Sequence, residues 1–315
     1  MKNIAIVTDT GSGIMQEEGR KLGISVIAMP FMINGEEYFE GLDEAHDTQG
    51  RKRLARDTFF AMQKADAEVS TSQPSITDIT DVWDELLKTH DEIVHIPFSC
   101  GLSGTCQTAM MLSHEDEYEG KVFVCNNFKA AAAQRQSCLD AQKLVKEGYE
   151  GAEIQKILER EAHNCSIYAT VGTLKYLKKG GRCTPAAAAV GALLRIKPVL
   201  ELKDGGKLDK CVVARTERAA REAMIAALRK DLMEKHGDPT CKHGYISVLY
   251  SDDPKCSDEL KAMLEAEFPG RVSKEISYDP LALNVCCHSG PGVMGVVLYE
   301  EIEELRSEAR LAGAI

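Results

Sequence analysis

The most constraining feature of this chain is the order in which its first apolar runs arrive. Ile4-Ala5-Ile6-Val7 is a short continuous run that reads as a buried strand, and the polar loop Thr8-Asp9-Thr10-Gly11-Ser12-Gly13 ends it. A helix around Met15 to Leu22 follows, then a second apolar run from Ile24 to Met29. Strand, loop, helix, strand in that order indicates a parallel sheet, because parallel neighbours need a crossover between them. The alternation continues through helix Asp57 to Lys64, a loop from Ser70 to Ser75 and helix Ile76 to Thr89. Strand Glu92 to Ile96, loop Pro97 to Gly104, helix Thr105 to Ser113, strand Val122 to Val124 and helix Lys129 to Lys146 complete a layered α/β domain.

Beyond a helix from Ala152 to Glu161 the pattern changes. Ser166 to Val171 reads as a strand, and Leu174 to Lys179 and Pro185 to Leu194 as helices. Ile196 to Leu202 and Leu208 to Ala214 form a hairpin turning at Asp204-Gly205-Gly206-Lys207. A long amphipathic helix over Thr216 to Lys235 is followed by strand Tyr245 to Ser251 and helix Ser257 to Glu267. A strand near Val272 to Ser277 and a closing strand Gly295 to Tyr299 come last. Hairpins mixed with helices are α+β in character. The 315 residues suit two domains at about 100–200 residues each. The expected division is an N-terminal α/β domain with a mostly parallel sheet over 1–162 and a C-terminal α+β domain over 163–315.

Charge narrows the function. Lys and Arg total 38 against 49 Asp and Glu, a net charge of -11. An acidic surface repels phosphate backbones and anionic membranes, so no nucleic-acid partner is expected. No run reaches the roughly 18 apolar residues that span a bilayer, so stable membrane insertion is not expected either. The 11 cysteines are scattered from Cys100 to Cys287 with no C-x-x-C, which excludes zinc-ribbon and thioredoxin motifs. Their odd count, without a signal-peptide pattern, fits a reducing cytoplasm. They are expected to act as small buried side chains.

Several short motifs bear on chemistry. Asp9-Thr10-Gly11-Ser12 matches the D-T-G of aspartic peptidases, which need a second such motif, and none occurs. A polar loop at a strand's C-terminal end is the simpler reading, and such loops line ligand crevices. Gly290-Pro291-Gly292-Val293-Met294-Gly295 fits G-x-G-x-x-G but precedes a strand-like run, against a dinucleotide site. Gly101-Leu102-Ser103-Gly104-Thr105 resembles a nucleophile elbow broken at its last glycine. Between a strand and a helix, Ser103 either caps the helix or, with the free amides after it, binds a carboxylate or phosphate. Thr71-Ser72-Gln73-Pro74-Ser75 clusters hydroxyls just ahead of a helix that Ser75 or Thr77 is placed to cap. His288 is open to a structural role, to a site role, or to metal ligation with Cys286 and Cys287, which adjacent ligands make awkward. Lys178-Lys179-Gly180-Gly181-Arg182, with Arg195, Lys197 and Arg215, is either a solvated basic turn or a positive patch for a phosphate or acidic partner.

Together the motifs are far more specific than singly. The ordered series Asp9-Thr10, Thr71 to Ser75, Leu102-Ser103-Gly104-Thr105, Gly180-Gly181-Arg182, Lys197-Pro198-Val199-Leu200, Arg215 and His288-Ser289-Gly290-Pro291-Gly292 resembles the DegV family. The resemblance runs from about Ile4 to Tyr299. It implies two α/β domains with a long-chain fatty acid, such as palmitate, stearate or oleate, held at their junction. It implies a non-catalytic lipid-binding protein that presents the carboxylate to the catalytic subunit of a fatty acid kinase. The acyl-phosphate would then pass to an acyltransferase of phospholipid synthesis. Thr71 and Ser103, with the Gly104 amide, match the carboxylate-binding positions, and His288 the histidine near the head group. Arg182 and Arg215 match basic positions for the head group or kinase docking. No cofactor and no metal is implied. The chain departs from the pattern at Asn126-Asn127-Phe128 and Ala130 to Ala133, beside the pocket, and in a charged segment from Glu44 to Arg56 that reads as a peripheral insertion.

The chemistry of the residues agrees. An acyl tail gains about 0.8 kcal/mol per buried methylene, so an apolar tunnel supplies most of the affinity. The carboxylate needs donors, because burying it unpaired is very costly. Met29, Phe31, Met32, Leu281 and the alanine-rich helix from Pro185 are expected to line the tunnel. A hydrolase using Ser103 and His288, oriented by Asp9 or Asp279, and a dihydroxyacetone kinase-like substrate subunit are the alternatives.

Overall fold

The crossover order of the first apolar runs is realised in a computed structural model, which describes residues 2–43, 47, 49–190, 196–203, 205–270 and 275–306. In chain order the strands are β1 (Ile4–Asp9), β2 (Ile24–Ile27), β3 (Pro30–Ile33), β4 (Glu36–Phe39), β5 (Val69–Thr71), β6 (Glu92–Ile96), β7 (Val122–Val124), β8 (Cys165–Thr170), β9 (Lys197–Leu202), β10 (Leu208–Ala214), β11 (Gly244–Tyr250), β12 (Ser277–Pro280) and β13 (Met294–Glu300). The helices are α1 (Gln16–Leu22), α2 (Arg56–Lys64), α3 (Ile76–Leu87), α4 (Thr105–Leu112), α5 (Ala131–Lys146), α6 (Gly151–Arg160), α7 (Lys175–Gly180), α8 (Pro185–Val190), α9 (Glu217–Glu234), α10 (Asp258–Glu267) and α11 (Leu283–Ser289).

Sheet A has the order β2-β1-β6-β7 and is parallel throughout. β1 is buried along its whole length, as a central parallel strand covered on both faces must be. Its side chains alternate between two layers. Ile4 and Ile6 pack with Cys138, Leu144, Ile154 and Leu158 of α5 and α6, whereas Ala5 and Val7 pack with Ile79 and Trp83 of α3 and Ala109 of α4. Sheet C has the order β10-β9-β8-β13-β11-β12 and is antiparallel except for the β11–β12 pair. One face, with Tyr168, Val248 and Val296, packs on Met224 and Leu228 of α9 and Leu260 of α10. The other face, with Ile167, Leu200, Leu249 and Val297, shares a core with Leu283 of α11 and with Phe31, Ile33 and Phe59 from the N-terminal part of the chain. The architecture is therefore mixed α/β with a parallel sheet, as expected, and a separate sheet that is antiparallel but for one pair.

A small sheet and a helix are additions to the expected pattern. β4-β3-β5 form a small antiparallel sheet, so Thr71 closes a strand where a loop from Ser70 was expected. β3 and β4 turn at Asn34 and Gly35, both at positive φ (51° and 80°), as a two-residue hairpin requires. Residues 283–289 form helix α11, which carries His288. Glu44 of the charged segment, Arg195 of the basic patch, Asp204 of the hairpin turn, residues 191–194 of the alanine-rich helix and residues 272–274 of the strand expected near Val272 lie outside the described residues.

Candidate functional site

β1 and β6 pair up to Thr8 and Ile96, so the loops leaving their C-terminal ends lie side by side. The Asp9 carboxylate joins them, accepting from the Gly11 amide at 2.9 Å, the Phe98 amide at 2.7 Å and Gln134 Nε2 at 3.2 Å. Burial pushes its pKa up to about 6. The D-T-G stretch thus holds the start of the 97–104 loop in place.

That loop delivers Ser103. Its Oγ lies 2.9 Å from Thr105 Oγ1 and accepts from the Thr105 amide at 3.3 Å. The N-cap of α4 is Gly104, which has no side chain to cap with, so the hydroxyl that meets the first α4 amide is that of Ser103. Opposite stands α11. The Glu40 carboxylate accepts from the Leu283 amide at the first turn of α11 and pairs with Arg56 at 3.3 Å. Burial pushes the Glu40 pKa up to about 7. Gln63 Nε2 donates to the Cys286 carbonyl at 3.0 Å. Held this way, α11 brings His288 Nε2 to 2.7 Å from Thr71 Oγ1. Burial, and then the charge of Arg182, push the His288 pKa down to about 4, so its ring is neutral at pH 7.

Two further residues shape this corner. Arg182, half-buried, donates Nε to the Leu102 carbonyl at 3.2 Å and Nη1 to the Gly180 carbonyl at 2.5 Å, tying the 97–104 loop to α7. Gly180 leaves room for the histidine, since a Cβ there would stand 2.1 Å from His288 Nδ1. Gly180→Ala should therefore push the ring off Thr71. The expected result is an imidazole pKa closer to the usual value of about 6.5, measured by NMR titration; an unchanged His288 titration would refute this packing account.

Thr71, Ser103, Gly104, Arg182 and His288 line one cleft of about 270 Å³, with Met29, Gln73, Phe98, Asn284 and Ser289 also on its walls. Asn284 Oδ1 and Ser289 Oγ are buried without a hydrogen-bond partner. Behind the cleft lies a smaller cavity of about 80 Å³ whose exposed lining is wholly apolar. Phe98, Leu102, Leu177, Leu208, Val285 and Ser289 belong to the walls of both. The inner cavity is completed by Ala130 and Ala131 beside sheet A and by Ile167, Leu200, Leu249 and Leu281 on the sheet C side.

Other expected residues fall elsewhere. Met29 is on the cleft wall and Leu281 on the cavity wall, but Phe31 packs against Phe59 and Tyr38, and neither Met32 nor the described part of α8 lines these spaces. Arg215 is exposed beyond the end of β10 and is not a cleft residue. In the basic patch Lys179 pairs with Glu68 and Lys197 with Glu217. Cys286 donates to the Leu281 carbonyl, and burial pushes its thiol up to about 12 and that of Cys287 upward too, which disfavours the thiolates a metal needs. The hydrolase geometry is not assembled: Ser103 bonds Thr105, His288 bonds Thr71, Asp9 bonds amides, and Asp279 lines a separate cavity.

Sequence reasoning passed over Asn284. Once 283–289 is read as helical, Asn284 and His288 are four residues apart and share a face. The cysteine expectation also needs correction. Cys125, Cys138, Cys286 and Cys287 are buried thiols as expected, but Cys100 and Cys106 are joined in a disulfide across the Ser103 loop.

A family model described as "Uncharacterised protein, DegV family" matches residues 3–301. A DegV domain-containing protein of Staphylococcus aureus (strain N315) is 29% identical over 296 residues, covering 94% of this chain and 98% of its own. Another, from Clostridium perfringens, is 24% identical over 307 residues, covering 96% and 100%. Among solved structures, one described as "Fatty Acid Binding of a DegV family Protein from Thermus thermophilus" superposes with a TM-score of 0.80 at 29% identity, over 95% of this chain and 100% of its own. A Bacillus subtilis protein described as "DegV, a fatty acid binding protein" superposes with a TM-score of 0.77 at 25% identity, over 96% and 100%.

Proposed function

Since the chain belongs to the DegV family, we propose that it binds a long-chain fatty acid, with the carboxylate in the cleft at Thr71, Ser103, Gly104 and His288 and the tail in the apolar cavity behind. The observation that carries this reading is the shared wall: a hydroxyl-rich, partly cationic cleft and an apolar space behind it have six lining residues in common. Each methylene buried there is worth about 0.8 kcal/mol. The carboxylate meets hydroxyls, the N-terminal end of α4 and the half-buried Arg182, which lower the cost of taking it out of water. The Thermus thermophilus and Bacillus subtilis structures described as fatty-acid-binding support the same ligand class.

The finer parts of the proposal rest on the family resemblance. A division at 162/163 puts the strands of sheet A and sheet C on different sides, and the cleft draws lining residues from both. In this proposal the protein acts as a carrier that presents the carboxylate to a separate kinase subunit, and the acyl-phosphate passes to an acyltransferase. Arg182, at the head group, and exposed Arg215 are the positions for the phosphate or the kinase. A cytoplasmic location belongs to this proposal; among the described residues no helix is long and apolar enough to cross a membrane.

Native mass spectrometry of protein purified from a bacterial host tests the reading. A co-bound species with the mass of a long-chain fatty acid is expected. A ligand-free spectrum that stays unchanged after incubation with palmitate, stearate or oleate would overturn it.

A further inference from the structure

The loop that carries Ser103 and Gly104 is closed by a covalent bond. Cys100 and Cys106 are disulfide-bonded with their Cα atoms 5.2 Å apart, and the loop residues between them are Gly101 to Thr105. The other nine cysteines remain thiols, so pairing is confined to this loop. We propose that Cys100 and Cys106 are a reversible thiol–disulfide site that sets how tightly this loop holds an anionic ligand, with a dithiol as the reducing partner. The proposal rests on the reading that the loop binds the fatty acid carboxylate.

The surroundings make the bond consequential. Cys106 is 1% exposed in the first turn of α4, whereas Cys100 is half-exposed on the loop. The disulfide therefore ties the loop to a packed helix. The remaining anchors are non-covalent: the Leu102 and Ser103 amides donate to the Ser99 carbonyl at 2.9 and 3.0 Å, the Gly101 amide to Ser99 Oγ at 3.3 Å and Gln107 Nε2 to the Cys100 carbonyl at 3.0 Å, and Arg182 holds the Leu102 carbonyl. The turn after β9 seats on the same loop, where a Cβ at Gly101 would stand 2.0 Å from the Gly205 carbonyl oxygen. A cross-link over so short a loop restricts its conformations, and a loop already ordered in its binding geometry pays less ordering entropy on binding. The disulfide form is thus the tight-binding form.

The exchange balances without further reactants. A thiolate of the dithiol attacks Cys100 Sγ, the accessible sulfur, forming a mixed disulfide as the Cys100–Cys106 bond breaks. Cys106 leaves as a thiolate and takes up a proton. The second thiol of the reductant then attacks the mixed disulfide, releasing Cys100. In all, the cystine gains two electrons and two protons and the dithiol becomes a disulfide.

The test uses the whole chain, oxidised or reduced with dithiothreitol. Intact mass reports the bond, hydrogen exchange reports residues 99–106, and fluorescence titration with cis-parinaric acid reports binding. The expected results are a mass gain of two hydrogens on reduction, faster exchange over 99–106, and affinity weakened about fivefold or more. Cys100→Ser with Cys106→Ser should bind like the reduced protein under both conditions. Absence of the mass change, equal exchange in both states, or equal affinity in both states would overturn the proposal, as would a redox response retained by the double variant. If the mass and exchange changes occur but neither form binds the acid, the fatty-acid reading fails, and with it the ligand control proposed here, while the redox site on the loop stands.

Discussion

Thr71→Ala together with Ser103→Ala is expected to weaken stearate binding about a hundredfold or more, since each hydrogen bond to a charged group is worth about 1.5–3 kcal/mol and about 1.4 kcal/mol is tenfold. Thr71 contributes twice in this account. It faces the carboxylate, and its hydroxyl holds His288 Nε2 at 2.7 Å. Ser103 stands where the amides of α4 begin. Both side chains are partly exposed in an open cleft, so the fold should tolerate the change, and thermal melting should shift little. Isothermal titration calorimetry checks the affinity. A double variant that binds stearate as tightly as the parent would remove both residues from the carboxylate site.

Trp83→Ala should have the largest effect on the fold, at about 3–5 kcal/mol of destabilisation. The indole is fully buried between α3 and sheet A, edge-on to Tyr118 at 5.1 Å and to His95 at 5.7 Å. Removing it leaves a cavity that the close-packed layer cannot fill. Urea unfolding followed by circular dichroism gives the loss, because the variant lacks the only tryptophan. A loss below about 1 kcal/mol would show that the layer collapses onto the site. Trp83 lines neither the cleft nor the apolar cavity, so ligand affinity at a temperature where the variant is folded should be unchanged. The two substitutions thus separate the site from the scaffold.

Much of the scaffold is legible because its strands and helices follow strong local patterns. The Glu92–Ile96 and Val122–Val124 strands sit where their apolar runs end in polar loops, and α9 falls within its amphipathic stretch. The small sheet was legible in part and passed over: Asn34-Gly35 between Ile33 and Glu36 is a strong two-residue hairpin signal. β5 is a different case. Val69-Ser70-Thr71 is too short and too polar to announce a strand, and it becomes one only by pairing with β3. α11 was hidden for a related reason, since Leu-Asn-Val-Cys-Cys-His-Ser is composed mostly of residues with middling helix propensity. Glu40 at its first turn and the packing of α2 supply what its own sequence lacks.

By itself, the sequence determined the family, the parallel sheet, the α+β character of the second half and the identities of the polar groups, because periodicity and motif order are local properties of the chain. Tertiary structure alone decided which of those groups meet. Thr71 and His288 are 217 positions apart, and their contact depends on α11 packing over the small sheet. Tertiary structure also decided that Arg182 lines the cleft and Arg215 does not. It placed Ser289 on both the polar cleft and the apolar cavity and joined Cys100 to Cys106. Distances between side chains from different layers are set by packing across the core, which no local pattern encodes.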